Sequence, residues 1–212
     1  MELTTVMEQE KVIRGKSERR NIISSVFVSV LIGLAFQEMV LPVRESVRTA
    51  GITLGTTVFF IIFFLTSMRF FIGNQLHLIS DGLLKMKGIV WFYDLIWIII
   101  QTTFLIFLGG VASVEASRPA RISFIGLLIA LYTADVVWII SQWMLGKFFQ
   151  SWRRGFIPWM WVILNSSLII SMTVVRCFTG DLYSKTMLIS LLIMNVAAFM
   201  IDVVISDYFD LL

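Results

Sequence analysis

Six runs of roughly twenty mostly apolar residues set the terms for this chain: Asn21–Val43, Ile52–Ile72, Ile89–Ala112, Ile122–Leu145, Phe156–Arg176 and Lys185–Ser206. Each is about the length an α-helix needs to cross the hydrocarbon core of a bilayer. Lipid offers no water to an unpaired peptide group, so a run of this kind folds as a helix that satisfies its own backbone. The expected fold class is an all-α integral membrane protein, a polytopic bundle of six transmembrane helices with short loops and no soluble domain. Composition agrees: 58% of residues are hydrophobic and 15% charged, against about 45–50% and about 25% in soluble domains. A secreted disulfide scaffold, a disordered chain and a cytosolic enzyme are thereby excluded.

The organisation that follows is an N-terminal arm (1–20), a transmembrane domain (21–206) and a short C-terminal tail (207–212). The first run follows the charged patch Lys16-Ser17-Glu18-Arg19-Arg20. It is too long for a signal-peptide core and lacks an A-x-A-like cleavage site, so it reads as a retained anchor. Six spans put both termini on one side. That side carries ten Lys and Arg residues, among them Arg19, Arg20, Lys85, Lys87, Arg153 and Arg154, against six on the other. The excess predicts cytoplasmic termini, in the plasma (inner) membrane. Trp91, Trp143, Trp152, Trp159 and Trp161 cluster near span ends on the same side and form an aromatic belt that anchors the protein. The net charge of +3 is accounted for by contact with anionic lipid, through Arg19, Arg20 and the Arg153-Arg154 pair, without nucleic acid.

Polar residues inside the spans are the most informative feature. A charge at the bilayer centre costs about 2.5–3.5 kcal/mol on insertion scales, so such residues turn toward the protein interior or water. The candidates are Arg69, Asp94, Gln101, Asp135, Gln142, Asn165, Asn195 and Asp202. In six-span topology Arg69, Asp94, Asp135 and Asp202 share the half of the membrane facing the N-terminus. A guanidinium among three carboxylates predicts a polar cluster in which Arg69 neutralises part of the acidic charge. Asp135 is the deepest of them. Gln37 and Glu38 lie near the outer end of the first span. Arg69, Gly73, His77 and Asp81 recur every four residues and would line one helix face, if the helix continues past Gly73-Asn74. Gly73 would then admit a neighbouring helix.

Two octapeptides match at five of eight positions, Asp94-Leu95-Ile96-Trp97-Ile98-Ile99-Ile100-Gln101 and Asp135-Val136-Val137-Trp138-Ile139-Ile140-Ser141-Gln142. The spacing places Asp, Trp and Gln on one face of each helix. Asp94 and Asp135 stand at different distances from the cytoplasmic ends of their spans, which argues against an inverted repeat of the transporter kind. Ser29-x-x-x-Gly33, Gly51-x-x-x-Gly55 and Ser167-x-x-x-Ser171 are expected packing faces.

No P-loop, GxSxG, HExxH or Cys-x-x-Cys motif occurs, so no enzyme is expected. One cysteine, Cys177, and one histidine, His77, leave no metal constellation and no cofactor site. The reading that follows is an oligomeric ion-conducting or permeabilising pore with a cytoplasmic-side acidic vestibule. The alternatives are a sensor or anchor subunit that recruits a soluble cytoplasmic partner, and a small proton-coupled secondary transporter. Partners expected from the sequence are the lipid bilayer, further copies of the chain and such a soluble protein.

Overall fold

The computed structural model describes residues 22–23, 25–41, 43–44, 48, 51, 53–79, 88–114, 123–149, 157–179 and 184–208. All regular structure among them is helical: α1 (Ser25–Leu41), α2 (Leu54–Ile79), α3 (Gly88–Val114), α4 (Phe124–Phe149), α5 (Ile157–Thr179) and α6 (Lys185–Tyr208). Helices α2 to α6 are each long and apolar enough to span a membrane. Helix α1 is apolar and described over a shorter stretch. Helices α2 to α6 run past the C-terminal ends of the apolar segments read from sequence, most of all α2, which passes straight through Gly73-Asn74 to Ile79.

Local chemistry fixes where three of the helices begin. The hydroxyl of Thr53 accepts from the Thr56 amide at 3.1 Å, Ser123 from Gly126 at 3.0 Å, and Ser184 from Met187 at 3.2 Å. Each is an N-cap that satisfies an orphan backbone donor at the first turn of α2, α4 or α6. Gly51, with φ 77°, takes the left-handed turn that leads the chain into α2. Pro158 occupies the first turn of α5, where its missing N–H costs nothing.

Helices α2, α3, α4, α5 and α6 pack neighbour to neighbour in a closed ring, α6 returning to α2. Helix α1 lies against α2 and α3. There Phe36 meets Phe63 and Phe64 edge-on at 5.3 and 5.9 Å. Gly109 sets the approach to α3: a Cβ at that position would stand 2.9 Å from the Ala35 carbonyl oxygen and 3.2 Å from the Met39 amide. Within the single chain the small-residue patterns expected to pack make no such approach. Gly33, Gly51 and Gly73 have open space at the Cβ position, Gly55 meets only Thr53, and Ser29 and Ser167 are exposed.

The ring interior divides into two halves along its length. One half holds Phe59, Ile62 and Phe63 of α2, Leu105 and Leu108 of α3, and Phe124 and Leu128 of α4. Leu168 and Met172 of α5 and Met187, Leu188 and Leu191 of α6 complete this apolar packing. The other half is polar. It lies toward the end where α2, α4 and α6 finish and α3 and α5 begin. The outer faces carry residues such as Phe64, Phe92, Phe107, Ile163, Ile170 and Ile193, as suits contact with lipid.

Candidate functional site: a polar network at the ring centre

Every helix of the ring delivers at least one buried polar side chain to this half: Thr66, Arg69 and Asn74 from α2, Asp94 and Gln101 from α3, Tyr132, Asp135 and Gln142 from α4, Asn165 from α5 and Asn195 from α6. Arg69 is the hub. Its Nε donates to Asp202 Oδ2 of α6 in an ion pair whose side chains are 5% and 14% exposed. One terminal nitrogen donates to the Tyr132 hydroxyl at 3.2 Å, and the other to Asn165 Oδ1 at 3.1 Å. The guanidinium also lies 5.4 Å from the centre of the Tyr132 ring, a cation–π distance. Tyr132 passes its own proton to Asn195 Oδ1 at 2.8 Å and stands 3.3 Å from Thr66 Oγ1. The flat fork of arginine thus binds α2 to α4, α5 and α6 at once.

Asp135 is held differently. Its Oδ1 accepts from Gln101 Nε2 at 2.8 Å and its Oδ2 from Asn165 Nδ2 at 2.5 Å. Both donors are neutral amides. Gln101 in turn accepts from Asn74 Nδ2 at 3.4 Å. Asn165 therefore stands between the two charges, accepting from Arg69 and donating to Asp135.

The matched octapeptides of α3 and α4 meet reciprocally. Gln101 of α3 donates to Asp135 of α4, and Gln142 of α4 donates to Asp94 of α3. Asp and Gln are seven residues apart in both motifs, so two antiparallel helices bring each Asp level with the other helix's Gln. The two motifs thus make the same contact from opposite helices, a reciprocity that depths counted from the span ends do not suggest. The reciprocity stops at the tryptophans. Trp138 Nε1 donates to Asp94 at 3.2 Å, whereas Trp97 lies 6.3 Å edge-on to Tyr93, and Asp135 takes its second bond from Asn165 instead.

A cleft opens into this network, lined by Arg69, Phe70, Gly73, Asn74, Asp135, Trp138, Ile139, Trp161 and Asn165. About 50 Å³ of it is accessible to the centre of a water molecule, room for roughly three or four waters or one small solute. It is partly open to the outside and backed by the apolar half of the ring.

All eight cluster candidates read from sequence reach this region: Arg69, Asp135, Asp202, Gln101, Asn165 and Asn195 in one connected network, Asp94 and Gln142 in the reciprocal pair beside it. Of the α2 stripe, Arg69 and Gly73 line the cleft. Gly73 faces that open space and admits no neighbouring helix, a correction to its expected role. His77 lies in α2 with its side chain outside the described residues, as does Asp81 entirely. Gln37 and Glu38 are exposed on α1 and take no part. Among the belt tryptophans, Trp161 lines the cleft, and Trp143 and Trp159 pack edge-on at 5.4 Å. The Trp91 side chain, Trp152, Arg19, Arg20, Arg153 and Arg154 lie outside the described residues. Sequence reasoning missed Tyr132, Thr66 and Trp138 as members. Tyr132 carried a usable signal: it sits one helical turn before Asp135, mid-span, with a hydroxyl that needs a partner when buried.

No family model matches the chain, and neither a curated protein nor a solved structure is similar to it.

Proposed function

We propose that the chain is a small membrane carrier, with six spans and both termini cytoplasmic, that takes a solute from one face into the cleft between Arg69 and Asp135. One observation supports this above the others: charged residues of α2, α4 and α6 converge, beside a cleft, on the centre of a ring made by a single chain whose other half is packed with apolar side chains. A carrier that works by alternating access would expose such a central site to one side of the membrane at a time. The pore between subunits expected from sequence draws no support from these residues, because they face inward and the outer faces are apolar. Helices α2 to α6 run without interruption, so access to the other side would come from helices rocking against one another.

The test is current from liposomes holding the purified protein, on addition of sodium, potassium or methylammonium chloride. A carrier gives a current that saturates with concentration and falls at least tenfold in Asp135→Asn. A current that rises linearly without saturating returns the pore reading. No current with any of the three from folded protein removes both.

A further inference from the structure

The charges around the cleft do not balance. Arg69 is committed to Asp202, and its two terminal nitrogens are committed to Tyr132 and Asn165. Asp135, at the cleft wall, has two amide donors and no cation as a direct partner among the described residues. A carboxylate has about four acceptor sites, and two neutral donors leave room for more. Among the described residues the network thus sets one guanidinium against two carboxylates, Asp202 in the ion pair and Asp135 at the cleft wall, so that with both ionised one negative charge is in excess beside the cleft. Beside Asp135 the wall has a polar part, Asn74, Asn165 and the ion-paired Arg69, and a carbon and aromatic part, Phe70, Trp138, Ile139 and Trp161. Trp138 is fixed in place through its Nε1–H bond to Asp94, and Phe70 stacks on Tyr132 at 6.2 Å between ring centres. Opposite them Gly73 leaves the space a side chain would occupy.

We propose that this cleft binds a small organic monocation, an amine or quaternary ammonium, with its charge against Asp135 and its carbon against the Trp138, Trp161 and Phe70 rings. The inference rests on reading the cleft as a solute site, but not on the solute crossing the membrane. Rings attract a cation through their negative faces, most strongly when water is excluded, and alkylated ammonium groups suit them because they lose little hydration. A divalent metal fits poorly. It wants six or more oxygens, and no group of three acidic, histidine or cysteine side chains that could hold a metal occurs among the described residues. An anion would have to compete with Asp202 for Arg69, three of whose five N–H groups are already used within the network.

The experiment is equilibrium binding to the purified protein in nanodiscs, read by intrinsic tryptophan fluorescence and by radioligand filtration. The probes are tetramethylammonium, glycine betaine as a zwitterion of similar size, and acetate. Tetramethylammonium should bind saturably, at least tenfold more weakly in Asp135→Asn and several-fold more weakly in Trp161→Leu. Gly73→Leu fills the cleft without touching the network and should abolish binding while thermal unfolding stays close to wild type. Absence of saturable tetramethylammonium binding by folded wild type overturns the proposal. So does equal affinity for glycine betaine or acetate, or Asp135→Asn binding as wild type does. Binding without liposome current keeps this proposal and removes the carrier reading.

Discussion

Asn165 is the side chain on which the two charges of the site depend. An amide can accept from a guanidinium with its oxygen and donate to a carboxylate with its nitrogen, and Asn165 does both, at 3.1 and 2.5 Å. Replacing it with Leu strips one partner from Arg69 and one from Asp135 inside the protein. We expect Asn165→Leu to cost about 1–3 kcal/mol, read as a lowered midpoint of thermal unfolding in detergent. An unchanged midpoint would mean that the bridge carries no energy. The members of this network were largely legible from sequence, because a charged or amide side chain deep in an apolar run has few places to go. Their partners were not. Which amide meets which carboxylate depends on how each helix is rotated about its axis, and apolar spans with polar residues on one face only weakly encode that rotation. Asn74 shows the same limit. It looked like a residue beyond the membrane because the apolar run ends before it, but the helix does not end there and carries it back to Gln101.

Helix α1 meets the ring through apolar packing and close backbone approach. Its contact with α3 turns on Gly109, where any added carbon meets the Ala35 carbonyl and the Met39 amide. Backbone cannot give way as a flexible side chain does, so Gly109→Leu should push α1 off α3 and cost about 1–3 kcal/mol. The check is protease cleavage between α1 and α2, which should become faster while the α2–α6 ring stays intact. Equal cleavage rates would show that α1 is held elsewhere. The sequence pointed to three other small-residue patterns, none of which packs this way. Small residues spaced by four are common in apolar helices, and only a facing backbone makes one of them matter. Conversely, the matched octapeptides held real structural content in their spacing, since the interval between Asp and Gln is what an antiparallel neighbour reads.

The ring of five helices with α1 at its side separates the protein into a polar end and an apolar end, and orientation in the membrane decides which side of the cell meets the cleft. Cys177, the only cysteine in the chain, reports it directly. It is exposed near the C-terminal end of α5, away from the polar half. With cytoplasmic termini, a membrane-impermeant maleimide should label it in intact cells, and permeabilisation should add little. Labelling that appears only after permeabilisation would reverse the orientation and place the cleft outside. The six helices could be placed from the apolar runs, and five of them are long and apolar enough to span a bilayer. The ring order could not, because lipid-facing and protein-facing apolar positions look alike in sequence. The reciprocal Asp–Gln pairs also bear on how such a chain is made. A helix released into lipid alone with a carboxylate near its middle, as Asp135 is in α4, carries a penalty of about 2.5–3.5 kcal/mol, and one nearer its end, as Asp94 is in α3, a smaller one. In α3 and α4 each carboxylate finds a donor on the other helix. The hairpin, not the single helix, is then the smallest piece of nascent chain fit to leave the ribosome's insertion channel for the bilayer.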